Sequence, residues 1–124
     1  MDRRTAREEA FKLLFQQDFN VKNGQLLDKR NHYTATIVSG VSNKKQEIDQ
    51  LISSHLHNWS YDRIALVEKT VLRIATYEFT YLDDIPVAVA INEAVELANK
   101  YGDEKSGKFV NGVLSKIIEP KEDK

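Results

Sequence analysis

The chain has 124 residues, of which 41% are hydrophobic and 30% charged, so a folded core is expected and wholesale disorder is excluded. Cysteine is absent, which rules out disulfides, thiolate metal sites and thiol nucleophiles and fits a cytoplasmic protein. The net charge of −1 excludes attachment to nucleic acid by bulk positive charge and leaves only local basic patches.

The length suits one domain of residues 1–120, followed by a charged tail, 121–124. No apolar run is long enough to span a membrane, and the start MDRRTAREEAFKLLF lacks the apolar segment of a secretory signal. Charge is segregated. Residues 1–7 carry three Arg and one Asp, and residues 100–116 carry four Lys against Asp103 and Glu104. Between Ile74 and Asn99 stand five acids and no Lys or Arg.

Glycine and proline are scarce, and long β-branched alternation is missing, so the chain reads as a helical bundle. Ala6, Ala10, Leu13 and Leu14 predict a first helix from about Arg3 to Phe19. A polar stretch with an Asn23-Gly24 turn follows, with room for one short extra turn in 20–31. A second long segment, about His32 to His57, is expected to end at Asn58-Trp59-Ser60, with Gly40 weakening its first half. Ser60 is the expected cap of a helix from about Tyr61 to Tyr81. The chain then restarts near Pro86 and stops at Gly102. Ser106 is the expected cap of a last helix carrying Phe109, Val110, Val113, Leu114, Ile117 and Ile118 before Pro120.

Three features do not fit a plain bundle. With Ile64 at zero and about 100° per residue, Glu68 and Glu78 fall about 40° to either side of the apolar centre. A carboxylate there must be paired. Glu78 is expected to cap a neighbouring helix or pair with a buried base, and Glu68 to face a protein partner from the rim. On the first helix, Arg4, Arg7, Phe11 and Phe15 form a second stripe beside the alanine arc. It suits a polyanion or a partner protein if exposed, and plain core packing if not. The segment KYGDEKSGKF brings Lys100, Tyr101, Lys105, Lys108 and Phe109 around a turn and a helix start, where an anion site or a solvated loop are the alternatives.

Catalytic constellations are missing: HExxH, GxSxG and phosphate-binding glycine motifs do not occur. His55 and His57 point about 200° apart on a helix and cannot share a metal. Neither an enzyme nor a metal or cofactor is expected.

The order of motifs resembles the NusB family of bacterial transcription antitermination and termination factors. The matching residues are Arg3-Arg4-x-Ala6-Arg7-Glu8 continuing through Leu14-Phe15-Gln16, and Val67-Glu68-Lys69 leading to Tyr77-Glu78. To these are added Val89-Ala90-Ile91-Asn92-Glu93-Ala94-Val95-Glu96-Leu97-Ala98 and Phe109-Val110-Asn111-Gly112-Val113-Leu114. The resemblance implies an all-α bundle of two small helical subdomains. It implies binding to boxA-type single-stranded RNA of nascent ribosomal RNA, as a heterodimer with the small-subunit ribosomal protein NusE. It further implies work with other Nus factors and RNA polymerase to pass terminators. By position it assigns Arg3, Arg4, Arg7, Lys100, Tyr101, Lys105, Lys108 and Phe109 to RNA, and Phe15 and Glu68 to the ribosomal protein. The acidic stretch 74–99 is expected to keep RNA off the opposite face. The family often has Tyr at Phe15, Lys at Asn99 and Asp at Ser115. The charge thus moves to Lys100, about 100° around the helix, and a phenol hydrogen bond is lost at position 15. A protein-only adaptor is the alternative function, and a homodimer masking the RNA face is compatible with the sequence. NusB-like domains also occur fused to ribosomal RNA methyltransferases, but no methyl-donor motif is present, so that role is not expected.

Overall fold

The computed structural model of the chain describes residues 2–17, 31–56 and 60–119. Among these are six α-helices and no strand: α1 (Arg3–Gln17), α2 (His32–Asn43), α3 (Lys45–Ser53), α4 (Leu66–Tyr81), α5 (Val87–Tyr101) and α6 (Glu104–Ile118). The Asn23-Gly24 turn, the extra turn in 20–31, the first helix's end at Phe19, the break at Asn58-Trp59 and the tail from Pro120 lie outside the described residues.

Helix α4 packs against all five others, with α1 and α2 on one side and the antiparallel α5–α6 pair on another. Its residues 70–76 are almost wholly buried, which requires apolar or small side chains around most of the circumference. Ala6 and Ala10 are fully buried and let α1 approach closely; Thr34 Oγ1 of α2 donates to the Ala6 carbonyl at 2.9 Å. A single apolar cluster runs from Leu13 and Leu14 through Ile37, Ile52 and Leu72 to Leu97 and Leu114. Arg73 of α4 is buried and clamps α3: its Nε and Nη2 donate to the Asp49 carboxylate at 2.8 and 3.0 Å, and the Tyr61 hydroxyl donates to the same group at 2.6 Å.

The structure revises several expected boundaries. The segment from 32 is two helices, because Lys44 leaves the helical well at φ −108°, ψ 16° after the weak helix formers Ser42 and Asn43. Gly40 in α2 has a packing role. A Cβ there would stand 2.0 Å from Cζ of Tyr77, whose ring occupies that space. Helix α4 starts at Leu66. Tyr61–Arg63 form a separate 3₁₀ turn preceded by Ser60, which makes no side-chain cap, and Ile64 is buried from extended backbone. Helix α6 starts at Glu104, and its cap is Asp103, whose side chain accepts from the Ser106 amide at 2.9 Å. Gly102 does end α5.

Candidate nucleic-acid interface

Side-chain pairs tie α1 to α5, Arg4 to Glu93 and Glu8 to Lys100, and the two basic segments of the sequence meet on one side of the molecule. Arg4 of α1 and Lys108 of α6 line the same cleft, of about 680 Å³, whose floor is α5. A smaller hollow of about 180 Å³ links Arg4 to Lys100. Lys105 is exposed on the first turn of α6.

Three of the exposed cations are held by acids. Arg3 Nη2 donates to Asp84 at 2.7 Å, Arg4 Nε to Glu93 at 3.0 Å and Lys100 Nζ to Glu8 at 2.7 Å. The Arg3 hydrogen bond holds the Asp84 carboxyl below its ordinary value, and Lys100 with Tyr101 does the same for Glu8. The Tyr101 hydroxyl also donates to Glu8. Burial and that carboxylate push the phenol up to about 12, so it stays a neutral donor at physiological pH. The acidic stretch is therefore not on an opposite face: Glu93 and Glu96 line the cleft beside Arg4.

Arg7 departs from the expected stripe. Its side chain is 4% exposed against 62% for Arg4, one turn away. Its Nε donates to both Glu78 oxygens, at 3.0 and 2.8 Å, and Nη1 lies 3.8 Å from Glu93. The Tyr33 hydroxyl donates to Glu78, and the Tyr33 ring lies 4.7 and 5.8 Å from the Arg3 and Arg7 guanidinium carbons. Burial pushes the Glu78 carboxyl up, while the Arg7 cation and Tyr33 pull it back. Glu78 thus pairs with a buried base, and that base is Arg7, a side chain with no surface left to touch RNA. Phe11 is also core, 4.8 Å from the Tyr101 ring and 5.7 Å from Phe15.

Phe15 and Phe109 are half-buried against the apolar cluster. Phe15, Phe11, Val67 and Tyr101 line an almost wholly apolar hollow of about 280 Å³. Glu68, half-buried in the first turn of α4, follows Val67 directly, where a carboxylate also complements the helix dipole. At the α6 start, where an anion site was one of two alternatives, the Ser106 amide is taken by the chain's own Asp103.

Sequence reasoning gave no role to Asn92 and Asn111 and read Asn99 only as a missing Lys, whereas all three line the cleft. The available signal was the seven-residue interval between Asn92 and Asn99, two turns of one helix face. It also missed Tyr33 as the ring behind Arg3 and Arg7.

The family model described as the NusB family matches residues 4–119. This chain belongs to the NusB family. A transcription antitermination protein NusB from Oceanobacillus iheyensis is 52% identical over 125 residues, covering 95% of this chain and 99% of that protein. NusB of T. maritima, a solved structure, is 39% identical with a TM-score of 0.85, covering 94% of this chain and 90% of that one. A chain in the crystal structure of antitermination factors NusB and NusE in complex with dsRNA is 35% identical with a TM-score of 0.82, covering 93% and 94%. The NusB family is one of transcription antitermination factors and not of enzymes. The all-α fold is the NusB fold.

Proposed function

We propose that this protein binds boxA-type single-stranded RNA of nascent ribosomal RNA transcripts together with the ribosomal protein NusE, and so helps RNA polymerase, with other Nus factors, to pass terminators. The observation that carries this reading is the convergence of Arg4 and Lys108, from opposite ends of the sequence, on the walls of one cleft. Its likeness to a NusB solved with NusE and dsRNA supports the same reading. Arg3, Arg4, Lys100, Lys105 and Lys108 hold phosphates, and Tyr101 and Phe109 border them. Arg7 positions α1 and does not contact RNA. Phe15 and Glu68, beside the apolar hollow, meet the ribosomal protein. The cytoplasm, where transcripts are made, is the place of action, and residues 1–120 act as one domain.

Cations already paired with carboxylates give modest affinity alone, because a phosphate must take each one from its acid. The partner extends the RNA-binding surface, so RNA and partner bind with positive, reciprocal coupling. The test is binding of a boxA-type strand and a scrambled strand, with and without NusE, at two salt concentrations. Preference for the boxA-type strand, strengthened by NusE and weakened by salt, is the expected result. Arg4→Ala with Lys108→Ala lowers the salt slope by about 0.7 for each single-strand phosphate that the variant no longer neutralises. An unchanged slope removes these two residues from the RNA path. Absence of RNA binding even with NusE present makes the protein an adaptor that touches only proteins.

A further inference from the structure

The α5–α6 cleft carries a second chemistry that its cations do not use. Asn92 and Asn99 line it from α5 and Asn111 from α6, and none of the three carboxamides has a hydrogen bond to another described residue. Asn99 is seated on bare backbone: its Oδ1 lies 2.0 Å from where a Cβ on Gly107 would stand, so only glycine in α6 leaves room for it.

Charge decides what such a cleft accepts. Arg4 and Lys108 stand against Glu93, Glu96 and Glu104, a net of −1, and Arg4 is already tied to Glu93. That balance does not draw phosphate into the cleft itself and leaves Arg4 and Lys108 for phosphates at its rim. A carboxamide presents a donor and an acceptor side by side, the pattern that matches the edge of a nucleobase, and a carboxylate accepts from an exocyclic amine. Single-stranded RNA is read in this way, with bases splayed out and bonded along their edges. The volume of about 680 Å³ is in the range of sites that enclose small molecules and admits a base with its sugar at the mouth.

We propose that this amide-lined cleft takes one unstacked RNA base bearing an exocyclic amine, read by Asn92, Asn99 and Asn111, while Arg4 and Lys108 hold the flanking phosphates at its rim. The proposal rests on the RNA-binding reading above and adds where sequence is read. It separates phosphate contacts, which set affinity and salt dependence, from amide contacts, which set base preference.

The test pairs protein variants with RNA variants. Wild type, Asn111→Ala, Asn111→Asp and Asn99→Lys are titrated, with NusE present, against the boxA-type strand, a scrambled strand and a set of boxA-type strands each abasic at one position. Asn111 and Asn99 are exposed helix-surface residues, and melting curves verify that each variant folds. Asn111→Ala is expected to weaken the boxA-type strand about tenfold, the low end for a two-point amide–base contact, with the scrambled strand and the salt slope unchanged. One abasic position is expected to cost as much, and its effect should not add to that of Asn111→Ala. Asn111→Asp, which keeps the size and removes a donor, is expected to shift the preferred base. Asn99→Lys is expected to tighten the scrambled strand and erode discrimination. If wild type discriminates between strands while every Asn variant discriminates equally well, the cleft reads no base and the proposal falls, leaving RNA binding intact. If Asn111→Ala weakens NusE and not RNA, the cleft belongs to the protein partner and the proposal falls. If wild type prefers neither strand, the RNA-binding reading falls and takes the proposal with it.

Discussion

Arg4 and Arg7 sit one turn apart on α1, yet they belong to regions with opposite rules. Around Arg7, the carboxylate of Glu78, the Tyr33 hydroxyl and the close packing of α1, α2 and α4 exclude water and fix one geometry. Around Arg4, the cleft is open and its ion pair with Glu93 exchanges with solvent and salt. Glu93 touches both arginines and marks the border. The difference teaches that a basic motif is not one functional unit. The same residue type builds the scaffold at one position and the binding surface at the next.

The sharpest way to break this comparison is to remove the buried base. Arg7→Ala strands Glu78 without its cation, and the expected loss of stability is about 3–5 kcal/mol, read from the midpoint of a urea transition. Normal stability with abolished RNA binding would return Arg7 to the RNA surface and erase the distinction. Gly40→Ala probes the scaffold from its other end. The added methyl meets the Tyr77 ring, and the cost of overpacking, about 1–3 kcal/mol, exceeds the gain of up to about 1 kcal/mol in helix propensity. Equal or greater stability in thermal melts would mean that the ring swings away freely.

The open side answers to milder changes. Glu8 is held below its ordinary value of 4.5 by Lys100 and Tyr101. Because the folded state binds this proton more weakly than the unfolded chain, the contribution of Glu8 is present above that value and disappears as the pH falls through the lowered one. Glu8→Gln should therefore lower the melting temperature slightly at pH 7, and the gap from wild type should close in acid. A gap that persists at acid pH would mean that Glu8 acts through packing. Asp103→Ala, which removes the α6 cap, follows the same sign: Asp103 is held low by the Ser106 amide, and its effect on the melting temperature should fade as acid protonates it.

Much of the bundle was legible because buried faces repeat with the helical period. Val71, Ala75 and Glu78 of α4 and Ala90, Ile91, Ala94 and Ala98 of α5 are buried as that spacing requires. The misplaced start of α4 has a specific cause. Ile64 is apolar, buried and in phase, but it reaches the core from extended backbone, and periodicity does not distinguish the two. The break at Lys44 rests on a run of modest propensities that tertiary packing settles. The family resemblance supplied the candidate site, and bare sequence supplied little of it. Arg7 was grouped with Arg4 in one stripe because its partner is 71 residues away, although a buried base was one of the two roles open to Glu78 on its apolar face. The amides of the cleft were not legible as a group, Asn99 having stood out only as a missing Lys: Asn on an exposed helix face is ordinary until two helices bring three of them together.

The seat of Asn99 on Gly107 has a consequence for how this sequence can change. An amide oxygen occupies the space that any other residue at 107 would need for its first side-chain atom, so a residue acquired at 107 turns the Asn99 side chain out of its seat. Position 99 is free to change while glycine holds 107, whereas a side chain gained at 107 displaces the amide from its seat, so the constraint on drift runs one way.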